Sequence, residues 1–194
     1  MTNYVTGSTI RLLREKKKYT QKQLGELLSV SDKAISKWEN QKGFPDITLI
    51  EPLAKALGVS ITELLSGECV TNRNKAGNML RGHFYVCPLC GNVIHSSGAG
   101  VFSCCGITLP ALEAELSEGE HGINIQRIED DYFVIMGHPM SKDHFISFFA
   151  YVTLNRVQIV KLYPEQNAQT RFLIQGEGLI YAYCNKHGLY CRKI

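Results

Sequence analysis

Between residues 6 and 66, apolar side chains recur at helical spacing. Ile10 and Leu13 lie beside Arg14 on a segment that ends in the basic run Lys16-Lys17-Lys18, which predicts one amphipathic helix. Thr20-Gln21-Lys22-Gln23 has the form of a capping box, so a second helix follows Thr20 and turns Leu24, Leu27 and Leu28 to its apolar face. Ser31 is the next N-cap, ahead of Ala34, Ile35 and Trp38 at buried spacing. Gly43-Phe44-Pro45 ends that helix. Asp46 opens another that closes at Gly58, and Ser60 with Glu63 caps a last short one before Gly67. Five short helices with tight connections predict an all-α unit over residues 6–66.

Residues 67–82, GECVTNRNKAGNMLRG, have no periodicity and read as a linker. Beyond Phe84 the pattern changes to Gly-rich turns and β-branched or aromatic runs, with period-two stretches. GINIQRI and YFVIMG flank Glu129-Asp130-Asp131, FISFFAYVTL and RVQIVKLYP flank Asn155, and TRFLIQG and LIYAYC flank Gly176-Glu177-Gly178. Six strands in three hairpins predict a small antiparallel sandwich. A turn centred on Glu129-Asp130 places His121 opposite His138 at the open end of the first hairpin.

Of the 194 residues, 44% are hydrophobic and 20% charged, which excludes a disordered chain. No run of eighteen apolar residues occurs, and the first twenty lack the marks of a secretory signal, so a cytoplasmic protein with no membrane partner is expected. Disulfides are rare there. The seven cysteines (69, 87, 90, 104, 105, 184 and 191) therefore read as thiols and metal ligands. Residues 1–66 hold ten basic and seven acidic side chains, whereas residues 67–194 hold eleven of each. The positive excess thus sits in the helical third, where it matters if that third meets a polyanion.

Helices over 20–28 and 31–40, joined at Ser29-Val30, have the arrangement in which the second helix enters a major groove. Ser31, Asp32, Lys33 and Lys37 would then face bases or phosphates, Gln21 would reach a phosphate from the first helix, and Leu24, Ile35 and Trp38 would be core. Geometry alone also allows a helical bundle used for protein contacts, the less favoured of the two. The stretch TQKQLGELLSVSDKAISKWENQKGFPDITLIEPLAKALGVSITELL resembles the phage-repressor (XRE/Cro-like) type of helix-turn-helix domain. That resemblance implies binding to a double-stranded DNA operator as a homodimer, with Gln21, Ser31, Lys33 and Lys37 at the contacting positions. Asp32 either accepts from a cytosine amino group or caps the helix.

Cys87-Pro-Leu-Cys90 is a metal-binding knuckle. Cys104-Cys105 can complete it only if the backbone turns between them, because adjacent side chains of a strand point opposite ways, and Gly106 eases that turn. Four sulfurs suit iron or zinc equally, and a zinc staple for a segment with little core of its own is the plain reading. FYVCPLCGNVIHSSGAGVFSCCGITLPAL resembles the small N-terminal domain of desulfoferrodoxin. This implies a rubredoxin-like β unit over 83–110 with Cys87, Cys90, Cys104 and Cys105 holding one iron. His83 and His95 are not needed as ligands and are expected to be exposed or lightly packed.

In the last third, His121, His138, His144 and the pair Cys184/His187 all fall at strand ends, so four nitrogens and one sulfur can collect on one face. HPMSKDHFISFF and CNKHGLY resemble the superoxide reductase domain of desulfoferrodoxin and neelaredoxin. What this implies for residues 117–194 is an immunoglobulin-like antiparallel β-sandwich with a non-haem iron on His121, His138, His144, His187 and Cys184. The implied reaction is one-electron reduction of superoxide to hydrogen peroxide, with an external donor such as a rubredoxin-like protein. Where the family carries a lysine before its first histidine, this chain has Glu120, which repels an anion or caps the metal; Lys142 and Lys186 lie beside ligands and offset it. Cys191 matches no ligand. Three readings follow: a reductase with a DNA-binding head, a superoxide- or redox-sensing regulator, and a regulator in which the metals only hold the fold.

Overall fold

The computed structural model describes residues 7–68 and 78–194, in two compact units that divide between residues 71 and 72. Cys69 and most of the stretch read as a linker lie outside the described residues.

The first unit holds α1 (Gly7–Lys16), α2 (Gln21–Leu28), α3 (Asp32–Glu39), α4 (Ile47–Leu57) and α5 (Ile61–Ser66). Its helix starts follow the local chemistry. Thr20 Oγ1 accepts the Gln23 N–H at 3.1 Å while Gln23 Oε1 accepts the Thr20 N–H at 2.8 Å, and Ser60 with Glu63 repeats that exchange. Ser31 and Asp46 cap α3 and α4. Between α2 and α3 the chain turns tightly: a β-carbon on Gly25 would sit 2.7 Å from the Val30 carbonyl oxygen. Ile10, Leu13, Leu24, Leu28, Ile35, Trp38, Leu53, Leu57 and Leu64 form the core. Leu27, expected on the buried face of α2, is 58% exposed, because that face is made by Leu24, Gly25 and Leu28.

Within this core lies an ion pair. Arg14 donates to both carboxylate oxygens of Glu39 at 2.6 and 3.0 Å and to the Tyr19 carbonyl at 2.7 Å, and the Gln21 amide donates to Glu39 at 2.8 Å. α1, α2 and α3 are thereby tied through one carboxylate.

The second unit opens with a 3-10 turn at Met79–Arg81, inside the stretch read as linker. The Met79 N–H donates to the Leu154 carbonyl at 3.0 Å. Two short hairpins follow, β1 (His83–Val86) with β2 (Val93–Ser96) and β3 (Phe102–Cys104) with β4 (Ile107–Leu109). The remaining strands are β5 (Ala114–Leu116), β6 (Ile123–Ile128), β7 (Asp131–Met136), β8 (Ile146–Thr153), β9 (Val157–Lys161), β10 (Gln169–Leu173), β11 (Gly178–Cys184) and β12 (Gly188–Lys193). They form a three-stranded sheet in the order β10-β7-β6 and a five-stranded sheet in the order β5-β12-β11-β8-β9.

Two of the expected hairpins are present, β6–β7 and β8–β9. The third is not. β10 pairs with β7 in one sheet, while β11 lies between β8 and β12 in the other. Gly176-Glu177 therefore crosses between sheets, and the Tyr151 hydroxyl fixes the crossing by donating to the Gly176 carbonyl and accepting the Gln175 N–H at 3.2 Å. Separating the two strands lets Phe172 of β10 and Ile180 of β11 enter one core from opposite sheets. β12 escaped the sequence reading because its Cys, Arg and Lys hide the strand pattern.

The five-stranded sheet is covered on both faces. Ile146, Phe149, Tyr151, Ile180, Ala182 and Tyr190 pack on Ile123, Val134, Met136 and Phe172 of the three-stranded sheet. On the other face, Phe148, Ala150, Val152, Tyr181 and Leu189 pack on Phe84 and Val86 of β1. The cysteine-rich segment thus shares a core with the sheet, which explains how so short a segment is ordered. His95 pairs with Phe84 and is not lightly packed: its Nε2 is shielded and lacks a hydrogen-bond partner.

Candidate metal centres and nucleic-acid interface

The sulfurs of Cys87, Cys90, Cys104 and Cys105 lie within 4.8 Å of one another. Each pair sits at a turn. Gly91, with φ of 66°, closes the knuckle after Cys90, and its N–H donates to the Cys87 carbonyl at 2.9 Å. Cys105 and Gly106 have φ of 51° and 77° and form the two-residue turn of the β3–β4 hairpin. That left-handed turn swings both adjacent thiols to one side, and glycine takes the second position without strain.

Cys90 and Cys104 are 3.5 Å apart, and Cys104 and Cys105 are 3.9 Å apart. These distances are too long for a disulfide but match a tetrahedron of sulfurs about 2.3 Å from a shared metal, whose edges are about 3.8 Å. Backbone N–H groups of Cys90 and Leu89 hold the Cys87 thiol down at about 7, whereas its sulfur neighbours push Cys105 up to about 12. Only a cation would let all four ionise together. The donor set fits a metal.

At the end of the two packed sheets, one ligand atom each from His121, His138, His144, Cys184 and His187 lies within 4.8 Å of the others. His121 ends a 3-10 turn ahead of β6, and His138 follows β7. The β6–β7 register runs from Ile128↔Asp131 to Ile123↔Met136, so the two histidines emerge opposite each other with ring centroids 5.3 Å apart. His144 stands in a short bridge to Ser141, Cys184 ends β11 on its buried face, and His187 lies in the β11–β12 turn. His187 Nδ1 is 3.1 Å from His121 Nε2, 3.3 Å from His144 Nε2 and 3.6 Å from Cys184 Sγ. Neighbouring nitrogens about 2.1 Å from one ion would be about 3.0 Å apart at right angles.

The surroundings aim these donors. His138 Nδ1 pairs with the Pro139 carbonyl at 2.8 Å, leaving Nε2 shielded and without a hydrogen-bond partner on the cluster side. A buried polar atom left so is costly unless something occupies its lone pair. His121 stacks on Tyr190 with centroids 4.2 Å apart and planes 8° apart. Burial, followed by the repulsion of neighbouring imidazoles, pushes His121 down toward the neutral form that binds metal. His138 shifts the same way, from burial first, against the Pro139 hydrogen bond. These residues fit a resident metal.

Asn185 was not singled out by the sequence. Its side chain accepts the Phe145 N–H at 2.9 Å and donates to the Asp143 carbonyl at 3.0 Å, clamping the His144 loop to the Cys184–His187 turn. Glu120 is exposed next to His121. Its charge acts on His121 and His144, and that of Lys186 acts on His144. Lys142 is exposed and 4.0 Å from Glu165. Cys191, in β12, is a half-buried free thiol that burial pushes up.

In the first unit, Ser31, Asp32, Lys33 and Lys37 are exposed along α3. Ser31 Oγ accepts the Ala34 N–H at 3.2 Å and Asp32 Oδ1 accepts the Lys33 N–H at 2.8 Å. Gln21 is only half exposed, and its amide nitrogen is committed to Glu39.

Residues 10–64 match the helix-turn-helix family HTH_3. Over 59 residues the chain is 49% identical to the HTH-type transcriptional activator BcrR of Enterococcus faecalis, which is 30% of this chain and 29% of that protein. Over 53 residues it is 38% identical to desulfoferrodoxin of Clostridium acetobutylicum, which is 27% of this chain and 42% of that protein. The chain thus spans less than half the length of these curated relatives. The crystal structure of the superoxide reductase from Treponema pallidum shares its fold with 59% of this chain and 99% of its own, at a TM-score of 0.53 and 18% identity. Among the described residues, no helix is long and apolar enough to cross a membrane. The chain therefore joins an N-terminal XRE/Cro-like helix-turn-helix domain to a desulfoferrodoxin/superoxide-reductase-like metal-binding domain.

Proposed function

We propose that the protein is a cytoplasmic superoxide reductase whose redox domain is carried on an operator-binding head. The observation that carries this reading is the set of four imidazoles and one thiol with donor atoms inside 4.8 Å. A zinc staple needs four ligands, and a fifth from nitrogen and sulfur is the donor set of a redox iron. Iron held there supplies a one-electron couple, so that superoxide, one electron and two protons give hydrogen peroxide.

The chain's own residues then have distinct tasks. His138 presents Nε2 because Pro139 takes its other nitrogen, and Tyr190 keeps the ring of His121 in plane. Cys184 sits on the buried side of β11, so its sulfur approaches the cluster from within the sheets, and the imidazoles lie nearer to solvent. An anion arriving at the exposed side meets Lys186 and Lys142, which attract it, and Glu120, which repels it. The five side chains are read as ligands of iron, the four-cysteine group as a site for iron or zinc, and an external rubredoxin-like protein as the electron donor. The two packed sheets are read as an immunoglobulin-like sandwich. On the head, Ser31, Asp32, Lys33 and Lys37 of α3 are read as the DNA-facing set and Gln21 as support, in a homodimer on a double-stranded operator.

A second reading is favoured by Glu120. A carboxylate where attraction is wanted slows turnover, which suits a superoxide or redox sensor that alters operator binding. Protein purified without oxygen and then oxidised should show the iron spectrum of the five-donor cluster, with a second, separate spectrum if iron also fills the four-cysteine group. Peroxide counted per reduced site after pulsed superoxide then separates the two readings: near one favours the reductase, near zero the sensor. A colourless protein holding only zinc defeats both.

A further inference from the structure

Asn92 stands between the cysteine knuckle and β2, on a backbone that is held from two sides. Its carbonyl accepts the Cys87 N–H at 2.9 Å, which extends the β1–β2 ladder past Val86 and Val93. The preceding residue, Gly91, donates its N–H to the Cys87 carbonyl at 2.9 Å. Gly91 is also pinned from the five-stranded sheet, because Lys161 of β9 donates to its carbonyl at 2.8 Å. A side chain at position 92 is therefore aimed by a turn with little freedom.

That side chain crosses to the other hairpin. Asn92 Nδ2 lies 3.7 Å from the Cys104 sulfur, twelve residues along the chain. A thiolate only accepts, so the amide turns N–H rather than oxygen toward it. Cys104 is a sulfur that needs such a donor. It is 3.5 Å from the sulfur of Cys90 and 3.9 Å from that of Cys105, two neighbours that also ionise when a metal binds. A bound cation offsets the repulsion for all four sulfurs, and the amide adds to that offset at Cys104. Outer hydrogen bonds of this kind raise metal affinity, and at iron they also set the reduction potential.

We propose that Asn92 is a positioning residue of the four-cysteine site, whose amide N–H holds the Cys104 sulfur in the thiolate form that grips the metal. This rests on the reading of the four cysteines as a metal site and applies to iron and zinc alike. It does not depend on the chemistry at the five-donor cluster.

The test is to load the metal-depleted full chain with cobalt(II) and titrate it with a competing chelator. Cobalt held by four sulfurs has a visible spectrum distinct from that of cobalt on imidazoles and one thiolate, so the two clusters are followed separately. Asn92→Ala removes both the donor and the side chain, whereas Asn92→Asp keeps the shape and puts a carboxylate oxygen in place of the N–H. The four-sulfur site should hold cobalt about tenfold more weakly in Asn92→Ala and more weakly still in Asn92→Asp, with the five-donor site unchanged. Wild-type affinity in Asn92→Asp would mean that shape alone matters, and it overturns the proposal even if Asn92→Ala does not fold. Equal affinity in all three chains overturns it as well and leaves the metal site standing. A wild-type chain without the four-sulfur spectrum overturns both the proposal and the reading of the cysteines beneath it.

Discussion

The side-chain oxygen of Asn185 accepts the backbone N–H of Phe145 at 2.9 Å, across forty residues of chain. That one contact, with its partner to Asp143, fixes the distance between His144 and the Cys184–His187 turn. Removing such outer support typically costs 10–100-fold in metal affinity. Asn185→Ala should weaken binding at the five-donor cluster by about that factor and leave the four-cysteine cluster unchanged, as measured by competitive chelator titration of each site.

The clusters share no ligand, and their buried members Cys184 and Cys87 lie in different cores, so they should be separable. Cys184→Ser should abolish the thiolate-to-iron absorption of the five-donor site and leave that of the four-cysteine site intact. Cys90→Ser should do the reverse. Loss of both spectra in either variant would mean that the two sites form together.

Glu120 is an exposed carboxylate whose charge reaches His121 and His144. Glu120→Lys exchanges repulsion of an anion for attraction. The bimolecular rate with pulsed superoxide should rise by about tenfold at low salt, and the gain should shrink as ionic strength increases. A rate indifferent to both charge and salt would place the anion's approach elsewhere.

In the helical unit, Arg14 and Glu39 are 10% and 3% exposed at their side chains. Breaking a buried pair leaves one charge uncompensated, so Glu39→Ala should destabilise this unit by about 3–5 kcal/mol in denaturant unfolding. Burial raises the Glu39 pKa, but the hydrogen bonds from Arg14 and Gln21 outweigh it and hold the carboxyl below its ordinary value. The unfolded chain therefore binds the proton first. The contribution is full above the unfolded value of about 4.3 and is lost as pH falls through it toward the lower folded value. The Glu39→Ala variant should lack that part of the acid transition.

Much of the helical unit was legible because its signals are local. Thr20 with Gln23 and Ser60 with Glu63 are capping boxes in the letters and in the hydrogen bonds. The pairing of His121 with His138 followed from one tight turn, because antiparallel register carries a turn's position outward residue by residue. Leu27 was misplaced since periodicity gives a face but not how wide a neighbour covers it.

What the sequence by itself determined is local: which residues cap helices, where Cys105 and Gly106 must turn, and which imidazoles and thiols stand at strand ends. The tertiary structure decided what depends on partners distant in the chain. It sent β10 and β11 to different sheets, β10 to the edge beside β7 and β11 to the middle between β8 and β12, so that Phe172 and Ile180 are buried in one core from opposite sides. It gave the cysteine hairpins a core by laying Phe84 and Val86 on the sheet. It also brought Asn185 to Phe145, a contact that no spacing encodes, since a hydrogen bond across forty residues leaves no periodic trace in the letters.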